Sequence, residues 1–165
     1  MSASIIISVA EGRWQNALPE LDALTRAAIG KTLECAAPAL PDKKIEVGVT
    51  FTNDNAMRAL NSKWRGKDKP TNVLSFPAAN ADGLPADAPL LLGDILLGFE
   101  TVLQEAGAAE KSLNDHALHL LIHGTLHLLG HDHEAETDAK AMESLEIKIL
   151  SGFNVPNPYI LMHET

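Results

Sequence analysis

The sequence predicts an α+β fold. It reads as a single domain, residues 1–165, with a mixed four-stranded sheet packed with about five helices and a metal site on a helix and the turn after it. Three observations carry this expectation. Short β-prone runs are interleaved with longer segments of helical periodicity, with no internal repeat or linker between them. The length of 165 residues suits one core, and 45% hydrophobic content with 4% aromatics means a core mostly of Leu, Ile, Val and Ala. Finally, His123, His127 and His133 stand at the spacing of a metal-ligand set.

Ser4 to Val9 reads as the first strand, and its consecutive isoleucines suggest burial on both faces. Ala17 to Glu34 reads as a helix with Pro19 in its first turn, weakened by Gly30 near its end. Pro38 and Pro41 mark a loop. Ile45, Val47, Val49 and Phe51 alternate with Glu46, Gly48 and Thr50, the pattern of a half-buried strand. Thr52 or Asn53 can cap a helix that runs to about Trp64. Arg65 to Pro70 is a polar loop, Val73 to Phe76 a short strand, and Pro77 to Pro89 a mobile surface loop. Leu91 to Leu97 reads as a buried strand containing Asp94, whose charge then needs a partner, structural or beside the metal. Phe99 to Ala109, Leu113 to Leu129 and Glu134 to Leu150 are helices, the last ended by Gly152, Pro156 and Pro158.

Composition narrows the function. Cys35 is the single cysteine, which rules out an internal disulfide and a cysteine-ligated metal; its neighbours suggest a small buried packer, with a reactive thiol the lesser alternative. No segment is long and apolar enough to span a bilayer, and no basic leader precedes Ile5, so a soluble cytoplasmic protein is expected. A net charge of −9 argues against a general nucleic-acid binder. The charge is uneven, however. Arg58, Lys63, Arg65, Lys67 and Lys69 fall in one stretch against Asp68, either a solvated loop or a local phosphate-binding patch.

His123 and His127 are four apart, so on a helix their imidazoles stack one turn above the other. Gly130 allows the left-handed turn that ends the helix and brings His133 towards them. Three histidines so placed fill three positions of a tetrahedral zinc and leave the fourth open, as in a catalytic site. One Zn2+ per chain is expected; nickel and copper also bind such a set. Zinc proteases of this spacing carry Glu directly after the first histidine, whereas here that position is Gly124, which cannot accept a proton. His116 and His119 lie along the same helical stripe. They are packing residues or, for His119 above all, a proton carrier or a support for the metal ligands.

The run His123-Gly124-x-Leu126-His127-Leu128-x-Gly130-x-Asp132-His133 resembles the signature of the YbeY family of bacterial endoribonucleases and rRNA maturation factors. Arg65-Gly66-Lys67, followed by Pro70-Thr71-Asn72-Val73-Leu74-Ser75-Phe76-Pro77, is similar to a second family stretch, and Leu92-Gly93-Asp94-Ile95 to a third. Asn72 stands where the family usually has Asp. His131 stands where Tyr is common, as a competing ligand, a proton carrier or an exposed bystander.

The resemblance implies zinc-dependent cleavage of single-stranded RNA, in particular the 3′ end of precursor 16S rRNA on the small ribosomal subunit. It implies a role in ribosome quality control, with no membrane partner and no DNA. Arg65 is the candidate phosphate contact, because its planar fork matches two phosphoryl oxygens. Either a water activated by the metal or the RNA's own 2′-hydroxyl can be the nucleophile. Two rival classes remain: a metal-dependent hydrolase of another substrate, and a non-catalytic ribosome-associated factor with a structural metal.

Overall fold

The computed structural model describes residues 2–37, 44–79, 85, 87–132 and 135–159. Its strands are β1 (Ser2–Val9), β2 (Lys44–Thr52), β3 (Val73–Pro77) and β4 (Leu90–Gly98), in the sheet order β1-β2-β4-β3. β1, β2 and β4 run parallel; β3 is an antiparallel edge strand, with Ser75 opposite Ile95 and Phe76 opposite Asp94. Among the described residues six helices accompany the sheet: α1 (Arg13–Ala17), α2 (Leu21–Ala36), α3 (Asp54–Arg65), α4 (Phe99–Ala108), α5 (Leu113–Leu128) and α6 (Glu136–Ser151). The expected mixed four-stranded α+β architecture is therefore present, with one short helix more than expected.

β2 follows the predicted alternation, with Ile45, Val47, Val49 and Phe51 all buried. The extra helix has a clear cause. Gly12 to Ala17 is too short to show periodicity, but α1 delivers Trp14 into the core. There the indole N–H donates to the Thr52 carbonyl at 2.8 Å, and the ring meets Phe51 and Phe99 edge to face. α5 is the central helix, packed against α2, α4, α6, β3 and β4. Cys35 packs against the core but is half-buried rather than buried. No described helix is long and apolar enough to cross a membrane.

Three expectations are corrected. β1 is an edge strand covered on one face, so Ile5 is buried while Ile6 is 58% exposed. Pro19 precedes α2 rather than lying in its first turn. Asp94 is exposed, not buried. The cause is a bulge: Leu91 pairs with Glu46 and Gly93 with Val47, which leaves Leu92 as the extra residue. Gly93 at φ +138° accommodates it. Ile95 then faces α5, and Asp94 points to the opposite face, where its carboxylate occupies the space beside Gly48. In the stretch read as a loop from Pro77 to Pro89, Pro77 closes β3 and residues 80–84 and 86 lie outside the described residues, as do Pro38 and Pro41.

Candidate active site

α5 is capped by Ser112, whose hydroxyl accepts from the Asp115 amide at 3.0 Å. It ends where the sequence placed its stop. Gly130 has φ +96°, its N–H bonds the His127 carbonyl at 3.0 Å, and the His131 N–H bonds the Leu126 carbonyl at 3.1 Å. This pair of bonds is a Schellman cap, and it turns the chain sharply after the second histidine.

His123 and His127 stand as the spacing predicted. Their Nε2 atoms lie 3.0 Å apart, close to the ~3.3 Å that two imidazoles on one tetrahedral zinc would show. The tautomer of His123 is set from behind. Its Nδ1 bonds the carboxylate of Glu146 on α6, a side chain with no exposure to solvent. A carboxylate only accepts, so Nδ1 carries a proton, and in the neutral ring a metal would bind this leaves the Nε2 lone pair towards His127. This donor set fits a zinc ion. Among the described residues no third His, Cys, Asp or Glu completes a ligand set, and the predicted third ligand, His133, lies outside the described residues.

Glu146 was not singled out from the sequence, where it is one of several acids in an acidic helix. The signal was its position. α6 buries Met142, Ile149 and Leu150, and Glu146 sits on that same apolar stripe. Burial pushes its carboxyl upward, but bonds from His119, His123 and Tyr159 outweigh this and hold it at about 2, below its ordinary 4.5. A carboxyl depressed in the fold stabilises fully above pH 4.5, and that contribution is lost as pH falls towards 2. Glu146→Gln is expected to weaken zinc binding by about 10–100-fold. It should also flatten the fall of stability across the pH 4.5 to 2 window, read as urea midpoints at successive pH values.

His119 lies behind the pair rather than in the cleft. Its Nε2 is 3.4 Å from both the Glu146 carboxylate and the Tyr159 hydroxyl, and its Nδ1 is buried without a partner among the described residues. This geometry suits a positioning residue. Tyr159, from the segment after α6, donates its hydroxyl to Glu146, and this bond, after burial, raises the phenol pKa. His116 bonds Glu105 at 2.9 Å, and burial pushes it below its ordinary value despite that bond. Asn72 donates to the same Glu105 carboxylate at 3.0 Å, which an Asp at that position would repel. His131 contributes its backbone to the cap, and its side chain is not among the cleft-lining groups.

The two histidines open into a cleft of about 620 Å³ walled by Trp64, Arg65, Phe76 and Asp132, with β3 along one side. Arg65 is exposed at the last position of α3 and makes no ion pair among the described residues. Gly66, at φ +68°, caps that helix, and the Asn61 side chain holds the Lys69 carbonyl at 2.9 Å. Arg58 is paired with Asp68 at 2.8 Å and so is committed to pinning the loop. The basic run therefore spans the end of α3 and the ordered loop after it, and Arg65 at their junction borders the histidines' cleft.

Gly124 has a packing reason. A Cβ there would stand 3.0 Å from Ile95 and 3.1 Å from the Ser75 hydroxyl, which bonds the Gly124 carbonyl. Gly124→Glu is expected to cost about 1–3 kcal/mol by forcing this seam apart, seen as a lower urea midpoint at unchanged slope.

A family model described as Endoribonuclease YbeY matches residues 13–154. Relatives bearing that name are 44% identical in Bradyrhizobium diazoefficiens, covering 88% of this chain and 79% of the relative. In Paramagnetospirillum magneticum the identity is 39%, over 96% of this chain and 97% of the relative. The solution structure of TM1509 from Thermotoga maritima shares the fold, with a TM-score of 0.52 and 24% identity over 92% of each chain. With a model match over most of its length and such relatives, the chain belongs to the Endoribonuclease YbeY family.

Proposed function

We propose that this protein is a zinc-dependent endoribonuclease that cuts single-stranded RNA and acts in maturation of the 16S rRNA 3′ end in the cytoplasm. The observation that carries the reading is the convergence of the His123 and His127 Nε2 atoms in the cleft that Arg65 borders. Family membership supplies the reaction class, and residue chemistry supplies the roles.

His123, His127 and His133 would hold the ion. The chemistry such an ion supplies is Lewis acidity at a phosphoryl oxygen and a lowered pKa for water. Glu146 fixes the His123 ring and keeps its Nε2 lone pair turned into the cleft. His119 and Tyr159 hold Glu146 in turn, so the supporting shell is anchored on α5 and on the segment after α6. Arg65 would place its guanidinium on two oxygens of the scissile phosphate and balance the charge that develops there. Gly124 removes the protease-type base, which turns the reading away from peptide hydrolysis.

The test is cleavage of a 16S precursor with a 3′ extension by zinc-loaded protein, with the extension single-stranded or masked by a complementary strand. Cleavage of the free extension only is expected. Equal cleavage of both would contradict single-strand specificity, and cleavage of neither would contradict the endoribonuclease reading.

A further inference from the structure

The two tryptophans of this chain are in opposite situations. Trp14 is wholly buried and hydrogen-bonded, whereas Trp64 is 61% exposed. A single exposed apolar side chain is ordinary. Trp64 differs because of where it stands and how it is held. It walls the same cleft as His123 and His127 and immediately precedes Arg65. Phe76, on the edge strand, meets it edge to face with ring centroids 6.3 Å apart, and Lys63 Nζ lies 5.1 Å from its ring centroid. The indole is thus braced by an aromatic and a cation, yet most of its surface is left to solvent.

We propose that Trp64 is a stacking platform for an unpaired base of the RNA, next to the phosphate that Arg65 engages. The proposal rests on the endoribonuclease reading and adds a subsite to it. An aromatic face beside positive charge is the combination that binds single strands without strong sequence preference. The base faces of a duplex are covered by their neighbours, whereas an unpaired base has a face to offer. Single-strand selectivity then has a physical cause at a named residue. The cation over the indole also suits a strand that brings a phosphate with each base.

The chain carries its own reporter for the test. Upon rapid mixing of zinc-loaded protein with an unstructured single-stranded RNA, the emission of exposed Trp64 should be quenched. Trp64→Phe, whose remaining indole is the buried Trp14, should give no such signal. In steady-state cleavage, Trp64→Ala is expected to raise KM by about tenfold while kcat stays within about twofold, and Trp64→Phe to recover most of the loss. Inorganic polyphosphate, which has the charge but no bases, should leave Trp64 emission unchanged. Quenching by polyphosphate equal to that by RNA would overturn stacking. So would an unchanged KM for Trp64→Ala when the wild type cleaves normally, and in that case the endoribonuclease reading would stand. A wild type that neither binds nor cleaves the RNA would remove that reading and the platform with it.

Discussion

His127→Ala is expected to lower cleavage of single-stranded RNA by about 10³-fold, the equivalent of about 4 kcal/mol of transition-state stabilisation. The expected loss is large because the Nε2 of His127 faces that of His123 at 3.0 Å, and no other described side chain completes a ligand set with His123. The fold should persist. His127 is only half-buried, and the packing of α5 depends on Leu118, Leu121, Ile122 and Leu126, all of which stay in place. Circular dichroism and the thermal midpoint with zinc withheld from both proteins separate loss of the site from loss of the fold. Equal cleavage by the variant and the wild type would show that the activity does not depend on this site.

Arg65→Ala is expected to lower kcat/KM by about 10²–10³-fold with zinc binding unchanged, as for removal of a donor aimed at developing charge. Arg65 ends α3 on an ordered turn, so its backbone is fixed by Gly66 and the Asn61–Lys69 bond, while its guanidinium is uncommitted among the described residues. Arg65→Lys should recover only part of the loss, since an ammonium keeps the charge but not the planar fork. Measuring zinc content and rate on the same samples separates a phosphate contact from an indirect effect on the metal. Unchanged cleavage by Arg65→Ala would remove the phosphate role from this residue.

The parts of this fold that were legible in the sequence are those with a local cause. The β2 alternation, the Asn53 cap of α3 (its side chain accepts from the Ala56 amide at 3.0 Å) and the Gly130 stop all depend on a few neighbouring residues. The paired histidines belong with them, because one helical turn sets their geometry. What was misread depends on what lies across space. Ile6 looked buried because the sequence does not reveal that β1 is covered on one face only. Asp94 looked buried because a one-residue bulge at Leu92 inverts the faces that follow it. α1 was too short to show a period, and its reason for existing is a tryptophan pocket built by β2 and α4.

The site divides along the same line. His123 and His127 announced themselves by spacing, whereas Glu146 matters because α6 folds back and lays an acid against the rear of His123. Its place among Met142, Ile149 and Leu150 was the visible clue, since an ionisable group on an apolar stripe must find partners. His119 was placed along the right helical stripe, and the structure puts it on Glu146 rather than in the cleft. The role of Gly124 was read as a missing base. The structure adds that a side chain at that position would press on Ile95 and Ser75 in the seam between α5 and the sheet.

The most direct measurement is a titration of zinc into metal-free protein, with the rate of single-stranded RNA cleavage read at each step. The rate should rise with added zinc and saturate at one ion per chain, and His127→Ala should stay flat over the same range. A wild-type rate already at its maximum without metal, and indifferent to zinc, would contradict a catalytic ion at His123 and His127.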